Sequence, residues 1–397
     1  MHYDNAFLIS RYPCWSETFV RQDLTLLMDM GLRILPVSIF PGDIAPEPDW
    51  PTATYLHRTR ELGGNAARKK NAKARLLFSL IPPHMRGFIS RAKHRRAYHS
   101  LCTLLYENQV QHIHAEFADL PALLATAAAR RLQIGYSVSV HAHDVHVPKY
   151  APQTLFQHAA FVVACNGAAR DALLQTSPWV SERLHLIPHG LCLDEWPFLA
   201  NHSVAGCPLK VLFVGRLVEK KGVDQLLRAV SLAERRGIPL ELTCIGGGPL
   251  QDQLEKLAGS LGIEQAVNWT GVFGRAEVGR RMRQADCLVV PSRVDSSGNR
   301  EGIPNVVLEA MALGIPVIAA RTGSVGDVVS AETGWPYSGK EPEDLLAPIQ
   351  NLLGNPRKRQ EKRVAARKLV ESRYDARILI RRKAALFEKV NPPHEHN

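Results

Sequence analysis

Short, continuous runs of Val, Ile and Leu recur along the chain, and a turn and a segment of helical periodicity usually follow each run. A strand with apolar side chains on both faces is typical of a parallel sheet that helices cover on both sides. The first half of the chain holds runs at 6–10, 33–39, 112–115, 136–140, 161–165 and 184–188. The second half holds runs at 210–215, 240–246, 267–271, 287–292 and 316–320. The pattern predicts an α/β protein with two doubly wound sheets.

The length of 397 residues also favours two domains, because single hydrophobic cores rarely grow beyond about 250–300 residues. The stretch FLANHSVAGCP, at 198–208, lacks periodicity and carries Gly, Pro and Asn, so we expect the linker there. We predict an N-terminal Rossmann-like domain at 1–200 and a C-terminal one at 201–373. We expect 374–397 to form a helix that packs back on the N-terminal domain.

The cysteines and the chain start set further bounds. Seven cysteines are scattered without a CxxC pair, which favours reduced thiols over a disulfide framework or a zinc site. The opening MHYDNAFLIS lacks a basic segment followed by a long apolar one, so we expect no signal peptide. No stretch approaches 18 uninterrupted apolar residues, and we expect a soluble protein that can still lie on a membrane.

The formal net charge of +11 is concentrated in one segment. Residues 58–100 hold 12 Lys or Arg and one acid, a local excess of 12 − 1 = 11. Such a run is most often a solvated surface, and the alternative is a binding surface for an anionic partner. Apolar patches at 76–83 and 87–89 interrupt the charges and favour an anionic membrane surface. Nucleic acid is not expected, because no aromatic-rich basic strand or zinc-finger spacing accompanies them.

The stretch REGIPNVVLEAMALGIPV, at 300–317, places Glu301 just before a predicted helix and Glu309 near its middle. Pro304 suits the first helical turn, since it has no N–H to lose, and Gly314 suits the helix end. Free N–H groups at the helix start suit a diphosphate or sugar oxygens. Carboxylates accept hydrogen bonds from paired hydroxyls. Two carboxylates flanking an anion site therefore predict a nucleotide-sugar ligand.

A second stretch, VLFVGRLVEKKGVDQLLRAV at 211–230, is predicted to form a strand, a turn and a helix. The turn holds Arg216 and Lys221, two cations at the carboxyl end of a strand beside a helix N-terminus. Such a pair can bind a pyrophosphate and stabilise it as it leaves, and an ordinary surface turn is the other interpretation. The run IGGGPL, at 245–250, lacks the third glycine of GxGxxG. We expect a tight turn there, near the base or the phosphates.

Two stretches of the first half carry polar groups, SETFVRQDL at 16–24 and SVSVHAHDVHV at 137–147. Ser16 is predicted either to cap a helix with Glu17 in its first turn or to contact an acceptor, and both interpretations stay open. A metal is one interpretation of the cluster His141, His143, Asp144 and His146. Because HxH at a strand end without a second cluster is a weak zinc pattern, we expect no metal.

These stretches resemble glycosyltransferase family 4, whose members are retaining enzymes of the GT-B fold. The stretch GNREGIPNVVLEAMALGIPVIA is similar to the Glu-x7-Glu segment of that family, and the turn with Arg216 and Lys221 is similar to its phosphate-binding turn. The two N-terminal stretches resemble its exopolysaccharide branch. The resemblance implies two Rossmann-like domains facing a central cleft, a donor bound mainly by the C-terminal domain, and no metal or other cofactor.

The resemblance also implies roles for individual residues. The implied catalytic set, in which the histidine contacts the donor sugar, the cations hold the diphosphate and the glutamate holds sugar hydroxyls, is His141, Arg216, Lys221 and Glu301. Glu309 is implied to hold the ribose. Further donor contacts are implied at Gly215, Gly247, Gly302, Ile303, Pro304 and Asn305. Acceptor-side residues are implied at Ser16, Glu17, Thr18 and Asp144.

We therefore expect a retaining glycosyltransferase that moves a sugar from a UDP- or GDP-sugar to a glycan or a polyprenyl-diphosphate-linked acceptor in polysaccharide biosynthesis. The expected location is the cytoplasm or the inner face of the cytoplasmic membrane. Two alternatives stay open: a nucleotide-sugar epimerase of the same fold, and a non-catalytic nucleotide-sugar-binding module. The sequence departs from the family at HGLCLDEW, where Asp194 lies two residues late, and at GSVGD, where Asp327 replaces a glutamate.

Overall fold

The computed structural model describes residues 2–14, 17–57, 92–204 and 206–391. The chain divides into two compact units. The N-terminal unit comprises 1–165, 169–187 and 380–397, and the C-terminal unit comprises 166–168 and 188–379. Ser16 and most of the basic segment, 58–91, lie outside the described residues, so the predictions made for them stay predictions.

The N-terminal unit is built on one parallel sheet in the order β3-β2-β1-β4-β5-β6-β7. Its strands are β1 (Asn5–Tyr12), β2 (Ile34–Pro41), β3 (Thr54–Tyr55), β4 (His112–Glu116), β5 (Gly135–Val140), β6 (Val162–Ala164) and β7 (Leu184–Leu186). The central strands are buried on both faces, as their continuous apolar sequence requires. The strand order reverses between β1 and β4, so this edge is where an open parallel sheet offers a ligand site.

Helices cover this sheet. They are α1 (Thr18–Asp29), α2 (Ala92–Glu107), α3 (Leu120–Leu132), α4 (Ala142–His146), α5 (Pro152–Phe156) and α6 (Gly167–Thr176). The small residues of ALLATAAA, at 122–129, let α3 pack closely on the sheet, and most of α3 is buried. A 3₁₀ turn at Pro178–Arg183 precedes β7.

The C-terminal unit repeats the same architecture with a parallel sheet in the order β10-β9-β8-β11-β12-β13. Its strands are β8 (Leu209–Val214), β9 (Leu240–Ile245), β10 (Val267–Trp269), β11 (Cys287–Val290), β12 (Val317–Ala320) and β13 (Trp335–Tyr337). Its helices are α7 (Val223–Arg235), α8 (Gln251–Ser260), α9 (Arg275–Met282), α10 (Asn305–Leu313), α11 (Leu346–Gly354) and α12 (Pro356–Arg373). The order reverses between β8 and β11, which places the ligand edge there.

The last helix, α13 (Ala376–Val390), begins in the C-terminal unit and continues into the N-terminal one from Ile380. Within the N-terminal unit, Phe387 packs edge-on against Phe161 and His114, at 5.5 and 5.3 Å between ring centroids. No helix in the described part of the chain is both long enough and apolar enough to cross a membrane.

All eleven predicted apolar runs correspond to strands, and α13 lies within the segment 374–397 that was predicted to be helical. The predicted fold class, two Rossmann-like doubly wound domains, is confirmed in this respect. Two short edge strands, β3 and β13, were not predicted. Each has two or three residues and no Val, Ile or Leu, and Pro336 in β13 is acceptable only because that strand lies at the sheet edge.

Candidate functional site

Two loops of the C-terminal unit meet at the carboxyl ends of β8 and β9. The backbone N–H of Gly215 donates to the carbonyl of Ile245, and that of Leu217 donates to Gly247, each at 2.9 Å. Gly246 has a φ of +140°, and a Cβ there would lie 1.9 Å from the carbonyl oxygen of Gly215. The absence of a side chain therefore lets the loops touch, and it brings together two predicted donor contacts, Gly215 and Gly247.

Glu301 lies against two lysines from the loop after β8. Nζ of Lys221 is 3.1 Å from Oε2 of Glu301, and Nζ of Lys220 is 3.1 Å from Oε1. Burial raises the pKa of Glu301, but the two ammonium groups outweigh burial, so the pKa lies below its ordinary value and the carboxylate is ionised. The Lys221 side chain also lies close to Gly215, because a Cβ added at Gly215 would be 3.3 Å from its Cε. Residues 80 positions apart thus form one charged cluster.

The remaining predicted donor residues surround this cluster in sequence. Arg216 is exposed in the same loop as Lys221, and Asn305 is the first residue of α10. Gly302 and Ile303 are half-buried in the segment that leads into α10. Pro304 was predicted in the first turn, but it has extended backbone (φ −66°, ψ 132°) and occupies the N-cap position. The helix therefore begins one residue later than predicted, because Pro304 does not adopt helical ψ.

Glu309 lies on α10 and contacts a different partner. Its Oε1 is 3.5 Å from Nε of Arg275, whose Nη1 is 2.9 Å from Oε2 of Glu195. Burial raises the pKa of Glu309 to about 7, although Arg275 lowers it. Glu309, the residue predicted to hold the ribose, therefore changes charge near neutral pH. Sequence analysis missed Arg275 and Glu195, because neither belongs to a recognisable motif.

Gly222 connects the Lys221 turn to α7, and a substitution can test whether its backbone conformation requires glycine. It has a φ of +64°, and an added Cβ would lie 2.0 Å from the carbonyl oxygen of Pro291. We expect Gly222→Ala to lower the free energy of unfolding by roughly 3 kcal/mol, because left-handed strain and a backbone clash add together. The matched control is Gly262→Ala, at φ +71° with nothing within 4 Å, where roughly 1 kcal/mol is expected. Equal losses in urea denaturation would contradict the close approach.

In the N-terminal unit, the carboxyl ends of β4 and β5 bring Glu116 and His141 together. Nε2 of His141 is 2.7 Å from Oε1 of Glu116, and Sγ of Cys165 is 3.7 Å from the same nitrogen. Glu116 is almost fully buried, whereas 14% of the His141 side chain is exposed. His141 therefore lies at the boundary between this buried group and the surface of the unit.

A lysine from α13 completes this group. Nζ of Lys383 is 2.9 Å from Oδ2 of Asp23 and 3.4 Å from Oε2 of Glu116. Burial raises the pKa of Glu116. The ammonium of Lys383 and the hydrogen bonds with the rings of His114 and His141 outweigh burial, so this pKa lies well below its ordinary value. Burial lowers the pKa of His141, and the contacts with Cys165 and Glu116 outweigh it, so that pKa lies well above 6.5.

Two aromatic rings pack on His141. The ring of Phe117 is stacked at 4.2 Å between centroids, and that of Phe19 lies at 5.3 Å. Phe117 has a φ of +80°, a left-handed conformation that a bulky residue rarely adopts. Such strain persists where the surroundings impose it, and it is common at functional sites. Sequence analysis did not identify Phe117, because nothing in the sequence shows its backbone angle.

The predicted acceptor-side residues lie near this group. Oδ2 of Asp144 accepts from the backbone N–H groups of Ala118 and His141, at 3.0 and 2.9 Å, so Asp144 holds the loops after β4 and β5 together. Thr18 is the first residue of α1. Glu17 was predicted in the first turn of that helix but occupies the N-cap position, and burial raises its pKa to about 7. Acceptor contacts by these residues stay predictions.

The N-terminal group has ligand types that a metal could use, since Glu116, His141 and Cys165 offer atoms within 4.8 Å of one another. Its chemistry favours ion pairing instead. Lys383 already places a cation 3.4 Å from Glu116, and burial raises the pKa of the Cys165 thiol, which opposes formation of the thiolate that metals bind.

The chain is similar in sequence to known glycosyltransferases. Residues 197–369 match the family model of glycosyl transferases group 1. The chain is 24% identical to the amylovoran biosynthesis glycosyltransferase AmsK of Erwinia amylovora, over 97% of this chain and 99% of that protein. It is 25% identical to the putative colanic acid biosynthesis glycosyltransferase WcaL of Escherichia coli K12, over 96% and 99%.

Solved structures share the architecture. The structure of HepE from Anabaena in complex with UDP and glucose matches with a TM-score of 0.71 and 18% identity, over 97% of this chain and 99% of that chain. At this level of identity the likeness establishes the fold alone. The GT-B class predicted from the sequence, with its two parallel-sheet Rossmann-like domains, is confirmed.

Proposed function

We propose that the protein is a retaining, metal-independent glycosyltransferase of family 4 that takes a sugar from a nucleotide-sugar donor during polysaccharide biosynthesis. The observation that carries this proposal is the cluster of Lys220, Lys221 and ionised Glu301 at the carboxyl end of β8. The cluster lies at the switch point of the C-terminal sheet, within the segment that matches the group 1 family model.

The charges of this cluster fit a sugar diphosphate. Glu301 pairs with both lysines while no phosphate is bound, which leaves one positive charge in excess, and a diphosphate would offer the lysines a stronger anion. Arg216, exposed in the same loop, adds a third cation. Released from the lysines, the Glu301 carboxylate can accept hydrogen bonds from sugar hydroxyls, which is the role that the resemblance implies.

The proposed reaction needs no covalent intermediate with the protein. The bond from the anomeric carbon to the diphosphate oxygen breaks, and a bond to the acceptor hydroxyl oxygen forms on the same face of the sugar. The hydroxyl proton passes to an oxygen of the leaving diphosphate. Lys221 and Arg216 stabilise the charge that develops on that diphosphate, and the protein contributes positioning and electrostatics. We assign His141 to the donor sugar on the resemblance alone.

The relatives suggest which substrates to try first. AmsK and WcaL are named for amylovoran and colanic acid biosynthesis, and HepE was solved with UDP and glucose. We propose a UDP- or GDP-sugar as donor and a glycan or polyprenyl-diphosphate-linked sugar as acceptor. Such an acceptor would place the protein in the cytoplasm, at the inner face of the membrane, where the basic segment at 58–100 is the proposed contact.

The proposal is tested by incubating the protein with radiolabelled UDP-glucose, UDP-galactose or GDP-mannose and polyprenyl-diphosphate-linked oligosaccharides. We expect label in the lipid-linked product with one donor, and an anomeric configuration that matches the donor in the NMR spectrum of the released glycan. An inverted product would overturn the retaining mechanism. Conversion of the donor to another sugar without acceptor would replace transfer by epimerisation, and tight donor binding without any turnover would indicate a binding module.

A further inference from the structure

The N-terminal unit buries a chain of charged groups that runs from α13 to His141. The side chains of Lys383 and Glu116 are only 4% and 1% exposed. Their contacts continue without a gap, from Asp23 to Lys383 at 2.9 Å, to Glu116 at 3.4 Å and to His141 at 2.7 Å. Burying such ions costs free energy, and apolar residues of the same size would often stabilise a fold equally well or better. The arrangement therefore calls for an explanation beyond stability.

Lys383 supplies a fixed positive charge beside Glu116, and His114 does not. His114 also lies 3.5 Å from Oε2 of Glu116, but burial lowers its pKa to about 4, so it is neutral. Both ring nitrogens of His114 contact serine hydroxyls, those of Ser137 and Ser139, at 2.8 and 2.9 Å. The neutral ring cannot balance the carboxylate of Glu116, whereas the ammonium of Lys383 can.

An ionised Glu116 requires a proton on Nε2 of His141. An ionised carboxylate has no proton to give, so the 2.7 Å contact requires the hydrogen to be on Nε2 of His141. A carboxylate that accepts from one ring nitrogen keeps that nitrogen protonated and fixes the direction of the ring. Phe117 stacks on the same ring and restricts its rotation.

We propose that Lys383 is a positioning residue, which keeps Glu116 ionised and thereby keeps Nε2 of His141 protonated and fixes the orientation of the ring. The effect of this arrangement on catalysis rests on the proposed glycosyl transfer, in which His141 contacts the donor sugar. Lys383 touches neither the proposed donor nor the acceptor and acts only through Glu116. Sequence analysis did not identify Lys383, since it is one of several basic residues in IRRKAALF at 380–387.

The state of His141 can be measured without any enzyme assay. In protein labelled with ¹⁵N-histidine, the signal of His141 is identified by its loss in His141→Gln, and the chemical shifts of the ring nitrogens then report which of them carry protons. We expect a proton on Nε2 of His141 in the wild type. In Glu116→Gln, which preserves the size of the side chain but removes its charge, we expect changed chemical shifts of the ring nitrogens. The double variant Asp23→Asn/Lys383→Met removes the charge of Lys383 together with that of its partner Asp23. It should also change the ring nitrogen shifts of His141.

The matched control is Lys389→Met, the same substitution at an exposed position of α13, and it should leave the His141 signals unchanged. If the double variant does not fold, Glu116→Gln alone decides whether the carboxylate fixes the ring. Wild-type ring shifts in every folded variant would overturn the proposal.

Kinetics then separate positioning from a purely structural role. With the donor found by the transfer assay, we expect Glu116→Gln and the double variant to lower kcat about tenfold, with KM for the donor changed less than about threefold. Unchanged kcat in both variants, despite changed ring nitrogen shifts of His141, would overturn the catalytic part of the proposal. A wild type that transfers no sugar would refute the proposed function, while the NMR result would still decide whether Lys383 and Glu116 position His141.

Discussion

Lys221→Ala is expected to lower kcat/KM for sugar transfer by on the order of 10²-fold or more, by analogy with the loss of one donor to a developing oxyanion. Lys221 is half-buried beside Gly215 and is paired with Glu301, so its ammonium is already held at the carboxyl end of β8. Removing it leaves the leaving diphosphate with one cation fewer. Steady-state kinetics at saturating acceptor measure the effect.

Arg216→Ala should cause a loss of similar size, because the exposed guanidinium can hold the diphosphate through two parallel hydrogen bonds. Lys256→Ala is the matched control, since Lys256 is an exposed lysine on α8 in the same unit. We expect the control to keep wild-type kinetics. Near-wild-type turnover in both Lys221→Ala and Arg216→Ala would refute a phosphate site in this loop.

Glu309→Gln is expected to weaken donor binding about tenfold or more at pH 8, because an ionised carboxylate accepts stronger hydrogen bonds from ribose hydroxyls than an amide does. In the wild type, donor affinity should fall as the pH drops below about 7, where Glu309 becomes protonated. The variant should lose most of this pH dependence. Isothermal titration calorimetry with UDP and GDP from pH 6 to pH 8 measures both effects.

The same substitution should stabilise the protein, and the sign follows from the direction of the pKa shift. Glu309 has a pKa of about 7 in the folded protein against 4.5 for the free side chain, so the folded state binds more protons between these values. Stability is therefore lost as the pH rises from about 4.5 to about 7. We expect Glu309→Gln to be more stable than the wild type at pH 8, with the gain vanishing near pH 4.5. A less stable variant at pH 8, with donor affinity independent of pH, would contradict the assignment.

The sequence predicted the sheets well because continuous apolar runs are a local signal. It also singled out Lys221 and Glu301, since both lie just after or before regular elements where parallel sheets place ligands, and their roles stay predictions. Their mutual contact, at 3.1 Å across 80 positions, follows from the switch point between β8 and β11. The sequence alone did not predict this contact, because it depends on the order of the strands in the sheet.

The N-terminal group could not be predicted in the same way. Lys383 and Asp23 are separated by 360 positions, and no periodicity indicates that α13 packs on the first sheet in a way that buries this lysine. Glu116 follows a strand that was predicted, yet nothing in HIHAE shows that its carboxylate contacts His141 rather than solvent. Contacts of this kind depend on tertiary packing, which brings distant charged residues into one buried chain.

The central claim is that the C-terminal unit binds a nucleotide-sugar through Lys221. The most direct test is a thermal shift of the purified protein with UDP, GDP and ADP and with UDP-glucose, GDP-mannose and ADP-glucose, repeated with Lys221→Ala and Lys256→Ala. A nucleotide at about 100 times its Kd should add roughly 2.7 kcal/mol of stability. We predict that the nucleotide and nucleotide-sugar of one base stabilise the wild type and the Lys256 variant but have much less effect on the Lys221 variant. Stabilisation by none of the six compounds, or equal stabilisation of both variants, would contradict the claim.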